Sequence, residues 1–470
     1  MKIVKIISIC LCSAMLLTSC IARKNKYERA NLGEPANYRE QLPLTGDTIV
    51  MPWKDFYKDP LLVSIIDKAL LKNNEVVVAL KSIEQLELSY KQAKLSLLPT
   101  LDFNGSANRT YQSENSLNGS LSQQITGQNY LDDFTLSLGL SWEVDIWGKV
   151  ALQKRDARAN FFAQQENLSA IKTRIVSEVA QAYYNLLGLD EQLKIAEQNK
   201  ELMENTLRIT QLQYNSGIVS SLALNQTEAQ KKTAELLIPL AKRNIAVQEN
   251  ALQILCGEFP DAVQRAGALD ANQLEIAFQS GVPASLLSRR PDVKAAEFAV
   301  MSATAKTGLA EAAMYPAINL TPQIGANSFK IDKLFDFPGS ITKAIGGGIL
   351  MPIFKKGQLK TDYKVAKIEQ DKAVVQFKQS FLVAVSEVSD AMAQLKYAEE
   401  RLQLVEQKTV ALQKAAKDAN LLYSNGMANY LEVITAQNNS LQNDLEAISI
   451  KQEKLNAATM LYRSLGGGVQ

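Results

Sequence analysis

Phe134-Thr135-Leu136-Ser137-Leu138-Gly139-Leu140-Ser141-Trp142-Glu143-Val144-Asp145-Ile146 alternates apolar and polar side chains without an error. That is the period of a strand with two unlike faces. Directly after Trp147-Gly148 the pattern changes: residues 149–214 contain no proline and only Gly188 as an interior breaker. A helix of that length is about 100 Å long, far beyond a globular core, and requires coiled-coil-like packing. The apolar face of 134–146 is unbroken for the ~10 residues that a tilted strand needs to cross a bilayer. A soluble sheet with one wet face would alternate in the same way.

Working outward, a partner strand follows Pro99, with Leu101, Phe103, Gly105 and Ala107 opposing Asp102, Asn104, Ser106 and Asn108. The pattern returns at Ile318, Leu320, Pro322, Ile324 and Ala326, and less cleanly over residues 341–353, which include Gly346-Gly347-Gly348. In lipid every backbone group must be paired, so strands must close into a barrel. Four strands cannot close one, since the smallest have about eight; the chain therefore has to oligomerise.

Half of the chain repeats the other half. Val176-Ser177-Glu178-Val179 recurs as Val385-Ser386-Glu387-Val388, and the same offset pairs Gly148 with Gly357, Tyr214 with Tyr423, Gly217 with Gly426 and Gly257 with Gly466. Upstream, Asn74-Glu75 matches Pro291-Asp292, and Pro99 matches Pro316. Each half reads helix, proline, strands, glycine, long helix, tight turn, return helix. The turns are Tyr214-Asn215-Ser216-Gly217 and Tyr423-Ser424-Asn425-Gly426, where glycine past the last periodic residue stops the helix. The return helices, about 220–255 and 430–464, mix Gln, Asn and Ala with apolar stripes, as either a wall around an aqueous lumen or a solvated four-helix bundle would. Pro239 should bend the first of them; its counterpart is Ile448.

At the N-terminus Lys2 and Lys5 precede an apolar run and Leu17-Thr18-Ser19-Cys20. This is a secretory signal, and its ending resembles a bacterial lipobox, with acylation expected on Cys20. Ile21 stands where many inner-membrane lipoproteins carry aspartate. Once the signal is removed, Cys256 remains as the one unlipidated cysteine, so no intrachain disulfide is expected. The mature chain would have no formal net charge, which disfavours nucleic acid. No later stretch is apolar enough for a transmembrane helix. The chain has no histidine and none of the common catalytic or nucleotide-binding motifs, so neither an enzymatic role nor a cofactor or metal is expected.

Together the lipobox, the strand-to-helix segment Leu140-Ser141-Trp142-Glu143-Val144-Asp145-Ile146-Trp147-Gly148, the motif Ser288-Arg289-Arg290-Pro291-Asp292-Val293-x-x-Ala296-Glu297 and both Tyr-x-x-Gly tips resemble TolC-like outer-membrane factors. The resemblance is to the OprM/NodT-like lipoprotein branch that serves RND multidrug pumps. It implies a mainly α chain with membrane β: a homotrimer with a 12-strand β-barrel in the outer membrane, joined to a 12-helix periplasmic α-barrel. On that frame the signal is 1–19, the lipid anchor and N-terminal equatorial segment 20–60, and the helices of the first repeat 61–98. The first membrane hairpin is 99–147, the first helical hairpin 148–256, and the equatorial connector 257–289. The second repeat gives a helix at 290–315, a membrane hairpin at 316–356 and a helical hairpin at 357–466, before a tail at 467–470. Gly188 is expected to interrupt its helix at the equatorial belt.

The resemblance further implies that Gly217, Ile218, Val219, Ser220 and Ser221, with Gly426, Met427, Ala428 and Asn429, meet a periplasmic adaptor coupled to an inner-membrane RND pump. Tyr423 and Glu432 are expected at the periplasmic gate. Thr435 stands where an aspartate is frequent in relatives, and Ala428 where a charge is. Two other readings stay open: a duct for a type I protein-secretion system, and a structural lipoprotein with a coiled-coil stalk.

Overall fold

The computed structural model describes residues 27–29, 52–113, 115–265, 267–270, 274, 287 and 289–467. The signal, Cys20, most of 20–60, Ser288 and the tail from residue 468 lie outside them. Two compact units are present, one drawn from residues 85–161 and 298–375, the other from 52–84, 162–297 and 376–467.

In order, the elements are α1 (Trp53–Phe56), α2 (Pro60–Lys72), α3 (Asn74–Leu95), β1 (Thr100–Tyr111), α4 (Leu117–Thr126), β2 (Tyr130–Glu143), α5 (Lys149–Asn215) and α6 (Ser221–Leu255). There follow α7 (Pro291–Ala312), β3 (Ala317–Ser328), β4 (Ile341–Leu350), α8 (Gln358–Ser424) and α9 (Tyr430–Ser464). The duplication is metrically close: α5 and α8 each have 67 residues, and α6 and α9 each have 35. No described helix is long and apolar enough to cross a membrane.

In the first unit the four strands form one antiparallel sheet in the order β1-β2-β3-β4. Register places like with like: Phe103 faces Leu138, Leu138 faces Ile324, and Ile318 faces Ile349 on one side. Asn104, Ser137, Gly325 and Thr342 line up on the other. The apolar side is uncovered: Leu101 is 68% exposed, Phe103 70% and Ile345 94%. Each of β1 and β4 has a strand on only one side among the described residues. Pro322 sits in the central strand β3, and the β2–β3 register skips from Gly139↔Gln323 to Trp142↔Leu320 around it. A proline has no N–H to give to the ladder, which accounts for the gap.

Two boundaries differ from the sequence pattern. β2 begins earlier, at Tyr130, and ends at Glu143 instead of running through Ile146. The extension is held by Arg109, whose guanidinium meets Asp132 through two bonds of 2.6 and 2.8 Å. At the other end Val144 N–H still donates to the Ile318 carbonyl, but Ile146 N–H turns back to Val144. Gly148 then takes φ 71° and starts α5. Trp147 seals this corner, donating from Nε1 to the Pro316 carbonyl at 2.7 Å and packing on Leu152 and Ala312. β4 stops at Leu350 rather than at 353. The β1–β2 connection carries a helix that alternation could not reveal, α4, capped by Ser116 and closed by left-handed Gly127.

In the second unit Gly188 does not break its helix, which corrects the expectation of an interruption there. α5 runs straight through it, and a Cβ at Gly188 would fall 1.8 Å from Gln452 Nε2. Its role is close approach: Gln452 reaches over it to the Asn185 carbonyl at 3.2 Å. α6 is likewise continuous through Pro239. The N-terminal helices dock by aromatic contact, with Phe56 stacked on Tyr462 at 4.1 Å. Asp59 caps α2 and accepts from the Tyr183 hydroxyl at 2.6 Å. Arg265, from the connector, binds Asp190 on α5 and Glu249 on α6. Arg290 of the Arg-Arg-Pro-Asp motif is buried; it binds Asp292, Glu387 of α8 and the Ser464 carbonyl at the end of α9.

Candidate functional site: the hairpin tips

Both long helices end in the same way. Gly217 and Gly426 adopt φ 72°, which L side chains resist. Ile218 N–H reaches back to the Gln213 carbonyl at 2.9 Å, and Met427 N–H to that of Leu422 at 2.8 Å, in the manner of a glycine-stopped helix. The chain then re-enters a helix at Ser220 or Asn429. Asn429 forms a capping box: its side chain accepts from Glu432 N–H, and the Glu432 carboxylate accepts from Asn429 N–H, both at 3.0 Å. Ser220 makes no such side-chain bond. Each tip holds out an apolar pair one turn apart, Ile218 with Leu222 and Met427 with Leu431, all more than three-fifths exposed.

Behind the tips lies a buried polar network tying the first hairpin to the second. Tyr423 is 1% exposed, and its hydroxyl pairs with Thr210 Oγ1 at 2.8 Å, while Gln213 Nε2 donates to the Tyr423 carbonyl at 2.9 Å. Gln437 on α9, equally buried, donates to Thr206 Oγ1 at 3.0 Å and to Asn420 Oδ1 at 2.8 Å. Thr227 sits beside Thr210 at 3.5 Å. Met203, Ala234, Ile434 and Tyr430 pack as the apolar part of the same junction. The Gln213 and Gln437 Oε1 atoms are buried without a partner. Burial pushes the Tyr430 hydroxyl up from its ordinary value of 10.0, against a Thr227 bond that lowers it.

The expected gate residues therefore occupy different settings within one chain. Tyr423 is locked against the first hairpin, whereas the exposed Glu432 serves as the cap of α9. Thr206, Thr210, Gln213, Thr227, Asn420 and Gln437 were not singled out from the sequence. A signal existed: the repeat offset places Ala415, Ala419 and Ala436 opposite Thr206, Thr210 and Thr227, so the hydroxyls belong to one half alone. The repeated tyrosines also diverge, Tyr214 being 41% exposed and Tyr423 buried. Removing the tyrosine hydroxyl by Tyr423→Phe should weaken the inter-hairpin contact by about 1 kcal/mol per chain. Hydrogen exchange of the α5 and α8 amides next to the tips should speed up; unchanged exchange would contradict a fastening role.

The model of the outer membrane efflux protein family matches residues 65–258 and 282–467. Among similar proteins, the cation efflux system protein CusC of Escherichia coli O6:H1 is 27% identical over 469 residues, covering 98% of each chain. The solvent efflux pump outer membrane protein SrpC of Pseudomonas putida is 28% identical, covering 88% of this chain and 87% of its own. The open state of the Neisseria gonorrhoeae MtrE outer membrane channel superposes with a TM-score of 0.84 at 26% identity, covering 95% and 98%.

Proposed function

The chain belongs to the outer membrane efflux protein family, and from that premise we propose that it is the exit duct of a tripartite efflux system. Three copies close a barrel in the outer membrane, anchored by lipid on Cys20, and their helical hairpins extend it through the periplasm. The observation that carries this reading is the open sheet: an uncovered apolar face bounded by two strands that each have, among the described residues, a strand on one side only. In lipid such strands must pair with strands from other copies. The long hairpins then supply the periplasmic wall.

The tips dock on a periplasmic adaptor through Gly217, Ile218, Val219, Ser220 and Ser221 and through Gly426, Met427, Ala428 and Asn429. An inner-membrane RND pump delivers small toxic compounds and the energy; the duct contributes a path and no chemistry. SrpC and CusC are named for solvent and for cation efflux respectively, consistent with selectivity residing in the pump. The gate lies at the second tip, with Tyr423 as its fastening and Glu432 at its rim.

Deletion of the gene should raise sensitivity to a panel of drugs, detergents, bile salts or metals several-fold and leave the set of secreted proteins unchanged. Loss of a secreted protein with unaltered sensitivity would instead make the chain a secretion duct. For the rim, Glu432→Gln can keep a capping bond while losing the charge, and Glu432→Ala loses both. A gate carboxylate requires both variants to change cation block of single channels; a pure cap requires neither to do so beyond what altered folding explains.

A further inference from the structure

Where β4 leaves the sheet, the chain reads Ile349-Leu350-Met351-Pro352-Ile353-Phe354-Lys355-Lys356-Gly357, and α8 adds Lys360, Lys364 and Lys367 within its first three turns. Ile349, Leu350, Met351, Ile353 and Phe354 are uncovered, the last two at 93% and 83%. All five lysines are exposed. None forms an ion pair among the described residues, whereas Lys372, one turn further on, is neutralised by Glu369 at 2.8 Å. Asp362 is the only acidic residue between Lys355 and Lys367.

Two facts separate this cluster from an ordinary solvated surface. Lys356 holds φ 52°, a left-handed conformation that costs a lysine and not a glycine, immediately before left-handed Gly357; the position keeps a side chain that the backbone would rather lose. In addition, the first half of the repeat has nothing equivalent at this place. The offset sets Ile146, Trp147 and Ala151 opposite Lys355, Lys356 and Lys360. Arg155 and Arg158, opposite Lys364 and Lys367, have partners within the chain. The duplicated fold does not call for the lysines.

We propose that Lys355, Lys356 and Lys360 form a binding site for the phosphate of an anionic phospholipid in the periplasmic leaflet, with Ile353 and Phe354 set among its acyl chains. The inference rests on the sheet's being the membrane barrel proposed above. An apolar edge followed at once by several unpaired basic side chains is what an anionic bilayer surface attracts. At 1.5 Å per residue, Lys360 stands only a few ångströms beyond the start of α8, within reach of the headgroup layer. Lys364 and Lys367 lie about 10 and 15 Å from that start and act only through a field that decays over ~8 Å at physiological salt.

The test uses the full-length lipidated protein in detergent, with phosphatidylglycerol or phosphatidylcholine added and retained lipids counted by native mass spectrometry. The wild type is expected to prefer phosphatidylglycerol, and rising salt should erode the preference. The triple variant K355Q/K356Q/K360Q should lose it, by roughly fivefold per lysine and about a hundredfold in all, and the triple arginine variant should keep it. K356G removes one charge while relieving the backbone, so it should lose its share of the preference with the fold intact. Unchanged lipid retention in these variants overturns the proposal. So does a change in the ion selectivity of the channel with retention unaltered, which would turn the lysines towards the lumen. A wild-type spectrum without trimers fails the barrel reading itself, and the lipid site with it, before any lipid is counted.

Discussion

Ile345→Arg should abolish assembled complexes in the outer membrane, and Ala344→Arg, one residue earlier, should leave them intact. Ile345 is 94% exposed and pairs with Pro322 near the middle of the apolar face; Ala344 pairs with Gln323 on the polar one. A strand turns alternate side chains to opposite faces, so these neighbours meet different solvents once a barrel closes. An arginine on the lipid face near the bilayer midplane costs ~2–4 kcal/mol, incurred by every copy, while a lumen-facing charge remains in water. Lys343 shares the lipid face but lies near the β3–β4 turn, where a long side chain can reach the headgroup region. Heat-modifiable migration of membrane extracts on gels reads both variants; equal loss in the two, or equal survival, would deny that the sheet has one lipid face.

The second large effect belongs to Arg290. Its side chain, 7% exposed, holds Asp292 through two bonds, Glu387 at 2.6 Å and the Ser464 carbonyl at 3.1 Å, and Arg463 shares Glu387 at 3.0 Å. It thus fastens the start of α7 to the middle of α8 and the end of α9. Arg290→Ala should destabilise the chain by about 1–3 kcal/mol, the range for lost hydrogen bonds to a charged group, because Asp292 keeps access to water and Glu387 keeps Arg463. Arg290→Lys should rescue little of it, since an ammonium cannot reproduce the forked contact. Burial tends to raise the Asp292 carboxyl, but the hydrogen bond and charge of Arg290 prevail and hold it below its ordinary 3.8. Folding therefore gains from this ionisation above pH ~4, and the gain is lost as the pH falls through the lower folded value. Acid unfolding of the wild type should carry this component and that of Arg290→Ala should not; thermal melts across that range would show it.

Much of this architecture was legible because local signals repeat. Strict alternation located β2 to within a few residues, and the long helix read from Lys149 to Tyr214, ahead of the Gly217 turn, stops one residue short of the observed terminus at Asn215. Both glycine-stopped turns came from Gly217 and Gly426, whose backbone demand is written in the residue itself. What stayed hidden depends on the register between helices. Gly188 looked like a breaker because its purpose, room for Gln452, lies 264 residues away in the chain. Nothing local to Thr206 and Thr210 says that Gln437 and Tyr423 come to them. Pattern also placed the end of β2 too late, since Val144 and Ile146 keep the alternation after the ladder has been left for the Trp147 corner.

Four strands per chain are to be completed into a membrane barrel by other copies of the same chain. Native mass spectrometry of the protein extracted from outer membranes tests this most directly. The predicted result is a complex of three identical chains that resists mild detergent and dissociates only when the barrel is unfolded by heat. A stable single chain under the same conditions, with β1 and β4 left open, would contradict the account.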